Sequence, residues 1–315
     1  MAHWIGWLLD VYIEEDEAVL WIKTEDGNSV KLVDCYEPYF YIEPKSEKEG
    51  AELFQVLRDM ELINEIRWEQ KFTNISNNVS QKLIRVGASF IHHYNLLLKV
   101  LEHDTLRQRI KHLHNTNLSH LQRYLFTQLK IQVTSKVSVE YEDRKLKSIK
   151  RINDDGKIEL PFSIMQVEIV PTTEQAILDA DDPIQSINAR FHEEDSTFQD
   201  DESTLLQNFS SHVVSKNPDI VIFKNYDLAV LNYLFERIKI LSLDLQLGRW
   251  KIDIYSRDQK QVLQKWIQGR VYLTLNDYNA DGLVGLFELA QFSYLPISLI
   301  LKYSTGRLIA KSTKC

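Results

Sequence analysis

Apolar and polar side chains alternate along residues 4–42, which read WIGWLLDVYIEEDEAVLWIKTEDGNSVKLVDCYEPYFYI. A period of two is typical of strands that bury one face. The EDGN segment lies between two such runs and therefore predicts a hairpin turn. A helix is predicted next at EGAELFQVLRDM, and a further strand at INEIRWEQKF.

The pattern then changes to helical spacing over residues 94–113 and again over residues 119–129. The segment SKVSVEYEDRKLKSIKRI predicts another hairpin, with EDRK at its turn. Together these elements predict a compact α+β module over about the first 155 residues. The turn-rich segment NDDGKIELP marks its end.

The second half of the chain predicts a mixed sheet with helices on its faces. Strands are expected at PFSIMQVEIV, PIQSINARF and PDIVIF, and HEEDSTFQDDES is expected to be an acidic loop. A helix is predicted from Ser203 to Ser215, with Ser203 as its N-cap, and a second at YDLAVLNYLFERIKIL.

Polar residues interrupt the apolar strand PFSIMQVEIV at two positions two apart. Gln166 and Glu168 should therefore project from the same face. A polar pair in such a run indicates the edge of a site rather than more core. Two acids there would supply half of a metal-dependent nuclease centre, but the first position is a glutamine.

The order of these segments resembles the N-terminal and 3′-5′ exonuclease regions of archaeal-type family B DNA polymerases. The strand with x-V-E, followed by NPDIVIFKNYDLAVLNYL, resembles the exonuclease domain, which has an RNase H-like fold. YEPYFYIEP and KFTNI resemble the N-terminal domain, and LPISLILKYSTGRLI resembles the segment that leads into the palm. The resemblance implies an N-terminal domain over 1–157, a degenerate exonuclease domain over 158–289 and a tail over 290–315.

Such exonucleases hold two divalent metals with acids from three motifs, and this sequence departs from all three. Gln166 stands where the first aspartate belongs, although Glu168 matches the glutamate that follows. Two hard dications need several oxygen ligands and compensating negative charge. The remaining motif positions in this sequence are Asn225, Val230 in place of an aspartate, Tyr278, Asp281 one position early, and Gly282.

The resemblance therefore implies no intact catalytic site and no cofactor, with Glu168 as the one candidate metal ligand. Mg²⁺ or Mn²⁺ would be needed only if the exonuclease is active. A shifted register could still supply a ligand, and the acids that would do so are Asp227, Asp253, Asp277 and Asp281.

Polymerase chemistry is also missing from the sequence, because the palm motifs DxxSLYPS and YGDTD do not occur in it. We therefore expect part of a longer or split polymerase, with a separate palm subunit as a partner, or a stand-alone relic. The main hypothesis is a non-catalytic module that binds DNA, single-stranded or primer-template, in replication or repair. The alternatives are an active proofreading exonuclease subunit and an assembly factor that binds only proteins.

Charge is distributed unevenly along a chain whose formal net charge is -8. Residues 82–151 hold fourteen Lys or Arg against five Asp or Glu, and residues 152–202 hold two against fourteen. Five cations near the second hairpin are candidate phosphate ligands, although a solvated charged hairpin explains them equally well. They are Arg144, Lys145, Lys147, Lys150 and Arg151.

Other features indicate a cytoplasmic, nucleoid-associated protein with no membrane segment and no signal peptide. Its two cysteines have neither metal-ligand nor redox spacing, and Cys35 is expected in the core. His112 and His114 are placed on a helix, where residues two apart point away from each other. Six aromatic residues could stack on bases, but their strand pattern favours the core; they are Trp4, Trp7, Trp21, Tyr39, Phe40 and Tyr41.

Overall fold

The computed structural model describes residues 2–73, 79–152, 161–173, 178–224, 229–252, 266–274 and 282–297. They belong to two compact units that are discontinuous in sequence. One unit is built from the chain up to Val11, from Leu20–Leu32 and from Ile131 onward. The other is built from Tyr12–Val19 and Val33–Lys130. The predicted boundary at residue 157 stays a prediction.

Alternating strands close a five-stranded barrel in the order β1-β2-β3-β9-β8. The EDGN turn joins β2 to β3 as predicted, and Gly27 adopts a positive φ of 86° there. Leu8, Leu20 and Val139 are fully buried. The strands are β1 (Ala2–Glu14), β2 (Glu17–Thr24), β3 (Ser29–Cys35), β8 (Lys136–Glu142) and β9 (Lys145–Arg151).

The second unit contains a four-stranded antiparallel sheet in the order β5-β6-β4-β7. Its core joins Phe40 and Ile84 of the sheet to Leu53 and Leu97 of two helices. The strands are β4 (Tyr39–Pro44), β5 (Ile63–Phe72), β6 (Ser80–Ala88) and β7 (Ile110–His114). The helices are α1 (Glu47–Arg58), α2 (Ile91–Leu101), α3 (Asp104–Arg107) and α4 (His120–Arg123), and a π-helical turn, Tyr124–Leu129, continues α4.

The long helix predicted over residues 94–113 is wrong beyond residue 107, because its last part is strand β7. Tyr41 pairs with His114 and Glu43 with His112 across the sheet. The two histidines therefore project from one face instead of pointing apart. Glu43 lies on that face and accepts hydrogen bonds from Lys111 Nζ at 2.6 Å and His114 Nε2 at 2.9 Å.

A five-stranded mixed sheet forms the rest of the first unit, in the order β12-β11-β10-β13-β14. The first two pairings are antiparallel and the last two are parallel. The strands are β10 (Ile164–Pro171), β11 (Ile184–Phe191), β12 (Glu194–Phe198), β13 (Ile220–Phe223) and β14 (Val271–Thr274). The helices are α5 (Glu202–Lys216), α6 (Ala229–Ile240) and α7 (Gly282–Ser293).

Helices α5 and α6 form where the sequence predicts helices, and both pack on one face of this sheet. Leu206 and Phe209 of α5 and Leu234 of α6 lie in one apolar cluster with Val167 and Val221 of the sheet. Two details differ from the prediction. Asp201, not Ser203, caps α5 by accepting from the Thr204 amide at 3.2 Å. Part of the expected acidic loop is strand β12, since it pairs with β11.

The structure also bears on the predicted burial of Cys35 and on membrane-spanning segments. Cys35 is exposed, so its placement in the core is wrong. Within the part of the chain that the structure describes, no helix is both long and apolar enough to cross a membrane.

Candidate functional site

Strand β10 separates its apolar and polar residues onto two faces. Met165 and Val167 are fully buried and belong to the cluster under α5 and α6. Gln166 and Glu168 lie on the opposite face and are partly exposed. This is the arrangement that the alternating sequence predicts.

Neighbouring strands extend this polar face sideways. Gln166 lies opposite Arg190 and Glu168 lies opposite Asn188, both on β11. Asn188 Nδ2 donates to Glu168 Oε2 at 3.3 Å, and its Oδ1 accepts from Thr197 on β12 at 3.0 Å. The Glu168 carboxylate is therefore linked through two neutral side chains, Asn188 and Thr197, across three strands.

Two cations lie on the same side of the sheet. Arg190 donates to Asp195 through Nε and Nη2, both at 2.7 Å. The hydrogen bond from Arg190 lowers the pKa of Asp195, and the nearby charge of Lys224 lowers it further. The Lys224 amide donates to the Val167 carbonyl at 2.9 Å, so Lys224 lies at the carboxyl end of β13, beside β10. Asp195 is thus engaged in an ion pair with Arg190.

Within the described part of the chain, this face does not supply the oxygen ligands that a pair of divalent cations needs. Glu168 is the one carboxylate that β10 contributes, and Asp195 is held by Arg190. Among the described residues, no three His, Cys, Asp or Glu side chains come close enough to hold a metal. Two dications need several carboxylate or carbonyl oxygens, and the Arg190–Asp195 ion pair adds no uncompensated negative charge for them.

Val230 lies away from this face. It is 0% exposed and packs in the apolar cluster that contains Met165 and Val167. The structure therefore does not bring Val230 together with Gln166 and Glu168. Gly282 begins α7. The other motif positions and the shifted-register acids lie outside the described residues; they are Asn225, Asp227, Asp253, Asp277, Tyr278 and Asp281.

The basic hairpin does not present its five cations as one row. Lys150 lies opposite Ser138 of β8, whereas Arg151 lies opposite Val137 and donates through Nη1 to Gln132 Oε1 at 2.7 Å. Lys147 forms an exposed ion pair with Glu142 at 3.3 Å. All four cations of β9 are exposed; they are Lys145, Lys147, Lys150 and Arg151.

The candidate base-stacking aromatics lie mostly in the core, as their strand pattern predicts. Trp21 and Phe40 are fully buried, and Trp7 and Tyr41 are nearly so. Trp4 is partly exposed but stacks on Tyr141, with ring centroids 4.2 Å apart.

The sequence gives no signal for a buried ionic cluster around Asp219, directly before β13. Asp219 is 0% exposed and forms ion pairs with Lys23 at 3.0 Å and Arg249 at 2.6 Å. The Ser163 amide and hydroxyl each donate to its Oδ2 at 2.9 Å. Burial raises the pKa of Asp219, but Arg249, the Ser163 amide and Lys23 outweigh burial and hold this pKa below its usual value.

Comparison with known proteins gives a structural relative but no sequence relative. No protein-family model and no curated protein matches the sequence. A family B DNA polymerase from the hyperthermophilic archaeon Pyrobaculum calidifontis has a similar fold, with a TM-score of 0.72 and 14% sequence identity. The match covers 98% of this chain and 49% of that polymerase, so the chain spans about half its length. The expected mixed α/β architecture with several sheets is confirmed at the level of the fold.

Proposed function

We propose that this chain is the N-terminal and exonuclease-like region of a family B DNA polymerase. In this proposal it binds DNA in replication or repair without nuclease catalysis, and a separate palm subunit is its partner. The shared fold over nearly the whole chain supports the family. The mixed sheet flanked by helices supports an RNase H-like domain.

The polar face of β10 supports the proposal that this chain has no nuclease activity. Two-metal hydrolysis needs carboxylates to place both ions and to balance their charge. Here Glu168 is joined to the amide of Asn188, its neighbour Gln166 is neutral, and Arg190 lies opposite Gln166. A face with one carboxylate from β10, joined to an amide, supports a role without two-metal hydrolysis.

Cleavage of single-stranded DNA with Mg²⁺ or Mn²⁺ tests this part of the proposal. A 5′-labelled oligonucleotide should keep its full length during incubation with the wild-type protein. Glu168→Ala should give the same result, because Glu168 has no catalytic role here. Shortening of the DNA by the wild type, abolished in Glu168→Ala, would overturn the proposal and favour the active exonuclease.

Exposed lysines of the β9 hairpin support the DNA-binding part. Cationic side chains bind backbone phosphates by displacing counterions, so their contribution weakens steeply with salt. We expect binding at about 50 mM salt that decreases strongly by about 200 mM. The double variant Lys145→Glu/Lys150→Glu should bind more weakly, whereas Lys48→Glu, an exposed lysine on α1, should bind like the wild type.

Failure of the wild type to bind DNA at any salt concentration would instead favour the protein-only assembly factor. If Lys48→Glu loses about half as much binding free energy as the hairpin variant, in proportion to the charge changed, net charge rather than the hairpin determines binding.

A further inference from the structure

The turn between β8 and β9 places an arginine in an unfavourable backbone conformation. Asp143 and Arg144 have φ angles of 49° and 64°, the left-handed values that a two-residue hairpin turn requires. Glycine or asparagine usually occupies the second of these positions, since a side chain there is strained. Such strain at a non-glycine residue points to a role for its side chain.

The guanidinium of Arg144 lies over the ring of Trp250, 5.0 Å from the ring centroid. Trp250 is 39% exposed. Tryptophan is a large apolar side chain, and leaving so much of it in water gains nothing for folding. The exposed indole beside a cation is, however, a suitable surface for a flat π-system.

The backbone that carries Trp250 is held firmly on its N-terminal side. The Gly248 amide donates to the Trp266 carbonyl at 2.7 Å, and the Arg249 amide donates to the Gln268 carbonyl at 2.8 Å. The Arg249 side chain is buried and donates to Asp219 at 2.6 Å. The indole is thus presented to solvent from a rigid support, which lowers the entropy lost on binding.

A lysine follows each member of the Arg144–Trp250 pair in sequence. Lys145 follows Arg144 and is exposed. Lys251 follows Trp250 and forms an exposed ion pair with Asp244, with Nζ 2.6 Å from Oδ2. An aromatic ring between cations is the combination that binds single-stranded nucleic acid, because bases stack on the ring while cations contact phosphates. Duplex DNA offers only stacked bases and fits this surface poorly.

We propose that Trp250 and Arg144 form a nucleobase-stacking site for single-stranded DNA, with Lys145 contacting a flanking phosphate. This inference rests on the proposed DNA-binding function and names a place on the chain where a base is held. Arg144 orients the indole and adds positive charge beside the strand.

Fluorescence anisotropy with a labelled oligothymidylate of about 20 nucleotides tests the site. Trp250→Ala should weaken binding roughly tenfold, the usual cost of losing one stacked base. Trp250→Phe should retain part of the affinity. Phe126→Ala is the matched control, because Phe126 is 55% exposed on the other compact unit and should not affect binding.

An oligonucleotide of the same length with abasic positions separates stacking from charge. It keeps the phosphates, so the wild type and Trp250→Ala should bind it equally. Emission of the wild type should also be quenched by the thymidylate more strongly than emission of Trp250→Phe.

Arg144→Gly distinguishes a binding role from a structural one. Glycine relieves the strained turn, so the thermal midpoint should stay unchanged or rise. Affinity for the oligothymidylate should nevertheless decrease several-fold.

The outcomes distinguish this site from the general function. If the wild type binds and Trp250→Ala binds equally well, the stacking site is wrong while the DNA-binding function stands. If the wild type does not bind the oligothymidylate at low salt, the DNA-binding function fails, and the stacking site fails with it.

Discussion

The parallel strands β10 and β13 carry different polar chemistry at their two ends. Directly before them, Asp219 is fully buried and is bound by two cations and by the amide and hydroxyl of Ser163. Towards their carboxyl ends, Glu168 is partly exposed and accepts a hydrogen bond from Asn188 at 3.3 Å. Ligand sites in open α/β sheets usually form at the carboxyl ends.

This difference shows where the sheet depends on its acids for stability. A buried charge is tolerated only when partners compensate for the lost hydration. Asp219 has such partners, so its removal leaves buried cations behind. Glu168 keeps contact with water, so the fold can tolerate its loss. Substitutions near Glu168, at the carboxyl ends of β10 and β13, should therefore alter the polar face without unfolding the protein.

Removal of the Asp219 side chain should have the largest effect. Asp219→Ala leaves Lys23 and Arg249 buried without their common partner and should lower the free energy of unfolding by about 3–5 kcal/mol. Urea denaturation followed by circular dichroism measures this change. Asp195→Ala removes an exposed ion pair on the same sheet and should leave the unfolding midpoint nearly unchanged. If Asp219→Ala and Asp195→Ala lower the free energy of unfolding equally, the two ends of the sheet do not differ in their dependence on acidic residues.

A carboxylate introduced into the apolar cluster under α6 should cost more stability than one introduced on the partly exposed face of β10. Val230→Asp introduces an acid into the apolar cluster and should lower the free energy of unfolding by about 2–4 kcal/mol. Gln166→Asp introduces the same acid on the partly exposed face and should cost less than about 1 kcal/mol. If Val230→Asp is as stable as the wild type, residue 230 is not a core position.

Acid should weaken the Asp219 cluster in a defined direction. The pKa of Asp219 is lowered in the folded protein, so on acidification the unfolded chain takes up this proton first. The stabilisation is complete above about pH 4, the ordinary pKa of aspartate, and is lost as the pH falls through the folded-state pKa. The difference in unfolding free energy between the wild type and Asp219→Asn should therefore narrow at low pH. If the difference between the wild type and Asp219→Asn stays constant as the pH falls until the protein unfolds, this explanation is wrong.

The smallest expected effect is a change in metal affinity at the polar face of β10. Gln166→Asp places two carboxylates two residues apart on one face, so Mn²⁺ affinity should rise by up to about tenfold. Paramagnetic resonance of free Mn²⁺ measures the change. The double variant Gln166→Asp/Glu168→Gln should lose part of this gain. An unchanged affinity in Gln166→Asp would indicate that Arg190 and Lys224 dominate the electrostatics of the face.

Elements in which apolar side chains recur at a regular spacing could be predicted from the sequence. The strand at Ile63–Phe72, the hairpin turn at Gly27 and the two faces of β10 follow from local alternation and turn chemistry. Failures occurred where a distant segment decides the structure. The segment Ile110–His114 has apolar residues with helical spacing, yet it is a strand because β4 supplies its hydrogen bonds.

Local ambiguity explains a second kind of failure. Asp201 and Ser203 are both good N-caps, and position alone does not choose between them. Of the candidate site, the common face of Gln166 and Glu168 could be predicted, because strand geometry requires it. Their partners could not, since Asn188 and Arg190 reach that face only through the pairing register of β11.

By itself, the sequence determined which residues alternate between buried and exposed faces and how many carboxylates β10 carries. These properties depend on neighbours along the chain, and a period of two or 3.6 displays them directly. Only the tertiary structure decided that Asp219 is enclosed by Lys23 and Arg249, that Val230 lies in the core and that Arg144 covers Trp250. Each of these depends on segments far apart in sequence, and their contacts arise from packing that no local pattern records.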